Sequence, residues 1–561
     1  MNEIHHRFCL AALIIFIVLA GAALRLWQIG NKSLWSDELF SAGIITSKYL
    51  VPLEGADIFR RTNIFNIQDI DTFWTVKAAD QSPPLFEFIG KIFTSVVGAN
   101  EISIRLPSAL ASIFLLLFLA QECWKENNTK NSTIFFFTLL PTAFSAILIE
   151  YAQEGRAYSL GILFSAILII QYYKRILIGF RKATLPQWKE IIVFILACYT
   201  HYNNIILSGI FLTIYFWQAI SRKDKKSALK IIIIPLAILP WIVLSFHTLL
   251  FTSQGGAGWS KDMSLLDAII KAIQTFPQIF GNYFLLIAIA ILVIAMIFRR
   301  FAKNTNAEKI NSNGFFGKEI FFLACIAAIY IFCVSIVAAK SEIFHYRHFL
   351  FIAPLVYLVV AIFLQQLSHT RWWIGVIAAF FLMGTQASSL DLFYKTAKEG
   401  YREAAHELLG RLGDNSVIVT TWAPNRDYYG FYLRNNKKGI IQLSLSQPEE
   451  AQALCEKLAP RNEFGVIAHT GHQNLTDSLK VSCGSAVQNT ISPSTSTPAL
   501  SLNTGKKSSN GIMAAKHEWL RATVAKFLRS FLNVINFTGV IESFHRHVQL
   551  FEIDSVSLRT V

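Results

Sequence analysis

The sequence predicts a mainly α, polytopic helical membrane protein of about 11 spans, followed by a small α/β extracytoplasmic domain. Three observations carry this. Of 561 residues, 53% are hydrophobic and 16% charged, against about 25% charged in soluble domains. Apolar runs near the roughly 20-residue spanning length recur through residues 1–388. The basic residues behind the formal net charge of +15 sit in short loops between those runs. That is the pattern of cytoplasmic loops beside anionic lipid, and it argues against a nucleic-acid partner.

Candidate spans lie near 8–27, 105–122, 132–149, 157–173, 228–250, 282–298, 319–339, 349–366 and 371–388. The first run has no convincing small-residue cleavage site and reads as a retained helix, not a signal peptide. Residues 190–218 are apolar but broken by Thr200-His201-Tyr202-Asn203-Asn204. Lys189 on one flank and Arg222-Lys223 on the other both read as cytoplasmic, so this segment goes out and returns as two short helices meeting at the break.

Lys and Arg counts set the orientation. Loops holding Lys174, Arg175, Arg181, Lys182 and Lys189, then Arg222 to Lys230, then Arg299 to Lys309, are the basic set. They are placed in the cytoplasm, with the N-terminus inside and the C-terminal domain outside a cell inner (plasma) membrane. Two large pieces then face outward. Residues 28–104 form the first extracytoplasmic loop, in which "SPPLFEFIGKIFTSVVG" is too short to span after Pro83-Pro84 and reads as a juxtamembrane helix. Residues 389–561 form the soluble α/β domain, with "SVIVTT" and "FGVIAH" as strands, "PEEAQALCEKLA" as a helix, and a flexible Ser/Thr/Asn-rich insert near 487–511.

The seven cysteines show no metal spacing. Cys9, Cys198, Cys325 and Cys333 fall in apolar runs as core residues. Cys455 and Cys483 lie in the outer domain, where a disulfide is permitted.

The chemistry-bearing residues collect on the outer side. "LWSDELFSAG" places Asp37 and Glu38 just beyond the first span. Alone, the pair reads as an N-terminal cap, with Ser36 or Asp37 capping a short helix whose buried stripe is Leu39, Phe40 and Ile44. "YAQEGRAYSL" puts Glu154 and Arg156 after the third span, where they also suit a solvated loop pair. "HYRHFLFIAPL" puts Arg347 at the mouth of a late span, where an arginine also snorkels to headgroups. His201 at the hairpin turn also suits a capping role. Together they place carboxylates and guanidinium groups on one side of a membrane. Transfer from a lipid phosphate requires that set: arginines to bind and stabilise the leaving phosphate, and a carboxylate to take a proton from the incoming hydroxyl.

These stretches, with "DQSPPLFEFIGKIFTSVVGANEISIRLPSALASIF" and "YTHYNNIILS" in the same order over residues 8–366, resemble the GT-C superfamily of integral membrane glycosyltransferases. The likeness is narrower to family 39, the RgtA/B/C/D-like branch related to dolichyl-phosphate-mannose protein mannosyltransferases. The resemblance implies a GT-C fold over 1–388 and an inverting hexosyl- or pentosyltransferase using a polyprenyl-monophosphate-linked sugar. The acceptor is left open between lipid A, a surface glycan and a protein. It implies Asp37 and Glu38 as the catalytic acids, Arg347 with Arg156 and Arg105 at the donor phosphate, and Glu154, His201, Asp80 and Ser82 lining the site. No cofactor is firmly implied, although Asp37, Glu38 and Asp80 are the oxygen ligands on offer to a Mg or Mn ion. One departure stands out. Relatives often carry His or Lys before the double proline where this chain has Ser82: either Lys91, Arg105 or Arg156 supplies that charge, or donor handling differs, or this member has lost activity.

Two alternatives share the topology class. A secondary transporter would place its ionisable residues near the bilayer midplane and often show repeated halves. A lipid-linked glycan polymerase or ligase depends on a long outer loop late in the chain. A non-catalytic scaffold is the third reading.

Overall fold

A computed structural model describes residues 3–46, 67–126 except 79 and 81, 131–177, 186–246, 263–279 and 314–411 except 342 and 371. Beyond these it describes the elements of a C-terminal sheet named below and a few single positions. The candidate span at 282–298 and residues 492–511 lie outside the described residues.

The first span is α1 (Glu3–Leu26). Between α1 and residue 100 the described residues form three helices: α2 (Ser36–Ile45), α3 (Ile67–Ala78) and α4 (Leu85–Val97). Helix α4 begins directly after Pro83-Pro84 and is 13 residues long, too short to cross a bilayer. It buries Phe86, Glu87, Gly90, Lys91 and Thr94 and exposes Ile92, Val96 and Val97, the two-faced character expected of a surface helix.

Helix α5 (Glu101–Lys125) starts at an Asn100 cap: Asn100 Oδ1 accepts the Ser103 N–H and Ser103 Oγ accepts the Asn100 N–H, both at 2.9 Å. Next come α6 (Asn131–Phe144) and α7 (Ala146–Ala152), which bend by 62° at Ser145. The bend leaves the last carbonyls of α6 without helical partners. Arg25 of α1, fully buried, donates to the carbonyls of Thr142 and Ala143 at 2.9 and 2.8 Å, and to Ser112 Oγ at 2.7 Å. A cation thus sits at the negative end of α6.

Helix α8 (Tyr158–Tyr172) is apolar on every face and buried, as a helix inside a bundle must be. The segment at 190–218 forms α9 (Trp188–Thr200) and α10 (Tyr202–Ser221), broken at His201 as expected. His201 takes an extended conformation and caps α10, its Nδ1 accepting the Asn203 N–H. The remaining helices of the span-rich region are α11 (Lys225–Leu236), α12 (Leu239–Leu244), α13 (Leu265–Ile279), α14 (Gly314–Ser341), α15 (Ala353–Thr370) and α16 (Trp372–Lys395). A 3₁₀ turn, Tyr346–Ile352, leads into α15.

Among the described residues six helices are long and apolar enough to cross a membrane, or seven if the bent α6–α7 pair is one span. This is a multi-pass membrane protein. The shortfall against 11 has physical causes besides the undescribed stretch: α9 has 13 residues, and α8 has 15 before passing into a π turn, Tyr173–Leu177.

After α16 the chain forms α17 (Tyr401–Arg411) and α18 (Ala423–Leu433) and a parallel four-stranded sheet. Its strands are β1 (Val417–Thr420), β2 (Ile441–Ser444), β3 (Phe464–Ile467) and β4 (Val487–Ile491), in the order β2-β1-β3-β4. Val417 pairs with Ile441 on one side and Phe464 on the other. The α/β expectation is met, with two adjustments. The helix α16 runs past 389 to Lys395. The expected flexible insert begins with a strand: residues 487–491 are β4. Cys455 is disulfide-bonded; Cys483 lies outside the described residues.

Leu34, Leu39, Ala42 and Ile45, around α2, pack with Tyr401, Ala404, Ala405 and Leu408 of α17 and Tyr429 and Phe431 of α18. The C-terminal region therefore shares a core with the segment that carries the acid pair.

Candidate active site

Helix α2 opens at Trp35, not at Ser36 or Asp37. Trp35 is the extended cap residue, Ser36 the first helical residue, and the Glu38 side chain reaches back to the Trp35 N–H at 3.3 Å. Leu39 and Ile44 are buried as expected, and Phe40 is half-buried. Adjacent positions on a helix point about 100° apart, so Asp37 and Glu38 meet different surroundings.

Glu38 is fully buried. Arg105 of α5 grips it with two bonds, Nε to Oε1 and Nη2 to Oε2, both 2.7 Å. The Gly155 N–H adds a bond at 2.8 Å and Lys398 Nζ lies 3.1 Å from Oε2. Only glycine allows that backbone approach, since a Cβ on Gly155 would stand 2.5 Å from Ile104 Cγ2. Burial opposes the charge on Glu38, but Arg105 and then Lys398 outweigh it and hold the carboxyl down to about 2. Arg105 is spent in the same cluster: its remaining N–H groups donate to the carbonyls of Ile29, Lys32 and Ser33 at 2.8–2.9 Å. All five guanidinium donors are engaged, and none is left for a phosphate.

Asp37 is different. Its side chain keeps 23% exposure, and Oδ2 lies 2.6 Å from Arg347 Nη1. Arg347 is 6% exposed and sits over the rings of Trp35 and Tyr158, 5.5 and 5.6 Å from their centroids. His345 caps its 3₁₀ turn, Nδ1 accepting the Arg347 N–H at 3.3 Å. Four buried polar atoms in and around this pair have no hydrogen-bond partner: Trp35 Nε1, Asp37 Oδ2, whose contact is the ion pair itself, Glu154 Oε1 and Arg347 Nε. Buried polar groups are normally satisfied by protein or by water, so these atoms keep bonding capacity beside the ion pair, unlike the filled cluster around Glu38. Glu154 is 4% exposed. Burial first, then repulsion from Glu38 and Glu150, pushes its carboxyl up to about 7 against the pull of Lys398 and Arg347.

Arg156 donates to the Asp37 carbonyl at 3.3 Å and to Ser41 Oγ at 2.9 Å. Ser41 in turn donates to Glu87 at 3.4 Å. Glu87 takes a bond from Lys77 Nζ at 2.9 Å, and the same ammonium meets Asp80 at 2.5 Å and Ser82 Oγ at 2.8 Å. Lys77 is fully buried. Asp80 and Ser82 therefore belong to a second cluster that joins the first through Ser41 and Arg156. Burial opposes the Asp80 charge, and Lys77 overcomes it to hold the carboxyl below its ordinary value.

His201 lies against Phe351 and Tyr158, ring centroids 4.7 and 5.5 Å away, with His348 at 6.5 Å. It borders the Arg347 turn without touching Asp37 in any recorded contact. Among the described residues no group of three or more His, Cys, Asp and Glu side chains could hold a metal ion. Asp37, Glu38 and Asp80 do not form the expected oxygen-ligand set, because each is paired with its own cation. Pro186, Ile191, Ser227, Lys230, Ile231 and Ile234 line a narrow crevice between α9 and α11 that includes none of these site residues.

Sequence reasoning missed Lys77, Glu87, Trp35, Tyr158 and Lys398. Of the cations expected to replace charge at Ser82, none is recorded in contact with it; Lys77, five residues earlier, is the one that faces it. Its spacing to Asp80, i to i+3, was a usable signal. Nothing in the sequence pairs Lys398 with Glu38.

No protein-family model and no curated protein matches the chain. Among solved structures the chain is similar to ArnT from Cupriavidus metallidurans. For the crystal structure bound to undecaprenyl phosphate the identity is 12% and the TM-score 0.47, covering 85% of this chain and 90% of that one. For the apo state the identity is 11% and the TM-score 0.47, covering 85% and 89%.

Proposed function

We propose that the chain is an inverting glycosyltransferase. It moves a hexosyl or pentosyl group from a polyprenyl-phosphate donor to an acceptor on a lipid, surface glycan or protein, at the outer face of the cytoplasmic membrane. The observation that supports this most is the partly buried Asp37 carboxylate paired with Arg347, beside the unpaired polar atoms of Trp35, Glu154 and Arg347.

The roles divide by availability. Asp37 takes the proton from the acceptor hydroxyl. The acceptor oxygen bonds to the anomeric carbon as the bond from that carbon to the phosphate oxygen breaks on the opposite face. The electron pair leaves with the lipid phosphate. Arg347, whose Nε has no partner, turns to that phosphate and stabilises its growing charge, with Arg156 behind it. One displacement inverts the configuration, and no covalent sugar–enzyme adduct forms. Glu154, close to half-protonated near neutral pH, offers a hydrogen bond to a sugar hydroxyl. Glu38 and Arg105, although expected at the chemistry, are assigned to the frame that holds α2, because their bonding capacity is filled. Among the described residues nothing fits a divalent ion, and no step uses one.

The test is transfer of radiolabelled sugar from a synthetic polyprenyl-monophosphate donor to membrane acceptors by the purified protein in vesicles. Label in the acceptor fraction supports the reading. Uptake of a solute without transfer would replace it with a transporter.

A further inference from the structure

The segment that follows α16 reaches back to the start of the chain and grips the helix that carries Asp37. Glu399 accepts the Ser36 N–H at 2.8 Å and the Ser36 hydroxyl at 3.5 Å. Ser36 is the first residue of α2, so a carboxylate from far along the sequence sits at the positive end of that helix. Lys398, its neighbour, places Nζ 3.1 Å from Glu38 Oε2. Arg402 donates to the carbonyls of Gly30 and Asn31 and pairs with Glu101 at 3.1 Å. The Arg402 N–H donates to Ser33 Oγ at 3.2 Å, and the Leu34 N–H donates to Tyr432 Oη at 2.7 Å. Lys32 closes the contact from the other side, its ammonium on the Phe393 carbonyl.

These contacts share a target. The turn from Gly30 to Ser36 and the first turn of α2 are the backbone that aims Asp37. The turn has few helical bonds of its own, and α2 is only 10 residues long, too short to be stable unaided. Its direction must be set from outside.

We propose that Lys398 and Glu399 are positioning residues for the transfer reaction, and that the soluble C-terminal region acts through them as part of the catalytic unit. This rests on the glycosyltransferase reading above. Neither residue touches substrate. Glu399 fixes the N-terminus of α2, and Lys398 fixes Glu38 beside the Asp37 that receives the proton. Loosening either lets Asp37 wander from the attacking oxygen, which lowers turnover while leaving the donor phosphate bound by Arg347.

The test compares Lys398→Ala, Lys398→Arg, Glu399→Ala and Glu399→Gln in the full-length protein, with Asp37→Asn as the reference for chemistry. Steady-state transfer from the polyprenyl-phosphate sugar gives kcat and KM. The alanine variants should lose about tenfold or more in kcat, with donor KM unchanged within about twofold. The conservative variants, which keep the cation or the accepting oxygen, should recover most of that loss. Lys398→Met, which keeps the apolar stem, replaces Lys398→Ala if the latter is not recovered folded. Folded alanine or methionine variants at full kcat, with Asp37→Asn inactive, would overturn the positioning role and leave the reaction standing. A change confined to KM, or conservative variants as impaired as alanine, would also overturn it. An active Asp37→Asn would remove both.

Discussion

Asp37 Oδ2 stands 2.6 Å from Arg347 Nη1, joining α2 to the 3₁₀ turn that leads into α15. In the proposed reaction this contact couples the proton acceptor to the phosphate-binding group. A ligand entering between them must break an ion pair and replace it with its own charge, so the site favours an anion that satisfies Arg347 and releases Asp37.

Replacing Arg347 tests the phosphate half of that pair. Arg347→Gln removes the charge and should lower kcat/KM for the lipid-linked donor about 10²–10³-fold, the scale for loss of one oriented transition-state donor. Arg347→Lys should restore little, since an ammonium cannot reproduce the planar fork or the stacking over Trp35 and Tyr158. Donor kinetics measure both. Unchanged kcat/KM in the glutamine variant would assign the phosphate elsewhere.

Glu38 and Arg105 should behave as a structural pair. Glu38→Leu strands a buried guanidinium and should cost about 3–5 kcal/mol, read as a lower unfolding temperature in detergent. The Glu38→Leu, Arg105→Leu double variant should lose less than the sum of the singles. It should not recover fully, because three backbone carbonyls also lose their donor. The carboxyl is held near 2, below its ordinary 4.5. Its contribution is therefore present above about pH 4.5 and fades as pH falls towards 2.

Glu154 has the opposite sign. Its carboxyl is raised from 4.5 to about 7, so between those values the folded protein binds more protons than the unfolded chain. Stability should fall as pH rises through that window. Glu154→Gln removes the titration and should flatten the fall, measured as unfolding temperature from pH 5 to 8. Equal slopes in the two proteins would contradict the burial of that carboxyl.

Lys77 balances two buried carboxylates. Lys77→Met leaves Asp80 and Glu87 unpaired beside Ser41 and Arg156 and should destabilise by about 3–5 kcal/mol, again read by thermal unfolding. A wild-type melting temperature would mean the cluster is hydrated instead.

Much of this architecture could be read in the sequence because hydrophobic runs report membrane helices directly. The break at Thr200 to Asn204, the short helix after Pro83-Pro84 and the strands at 417 and 464 all follow from local pattern. The site residues were legible as a set but not as roles. Asp37 and Glu38 are neighbours with the same chemistry in sequence, and only packing shows that Arg105 and Gly155 consume Glu38 while Asp37 stays partly accessible beside Arg347. Lys398 was invisible because its partner lies at the opposite end of the chain, a pairing no local period encodes. Lys77 was not legible as the partner of Ser82 because it lies five residues earlier, at the end of α3, and only its long flexible stem brings the ammonium to that position.

The most direct measurement is sugar transfer from a polyprenyl-monophosphate donor by Asp37→Asn, in vesicles, beside the wild-type protein and with membrane insertion and melting temperature checked in both. The account predicts a fall of at least about 10²-fold in turnover from a variant that inserts and melts as the wild type does. Wild-type turnover by that variant would contradict it.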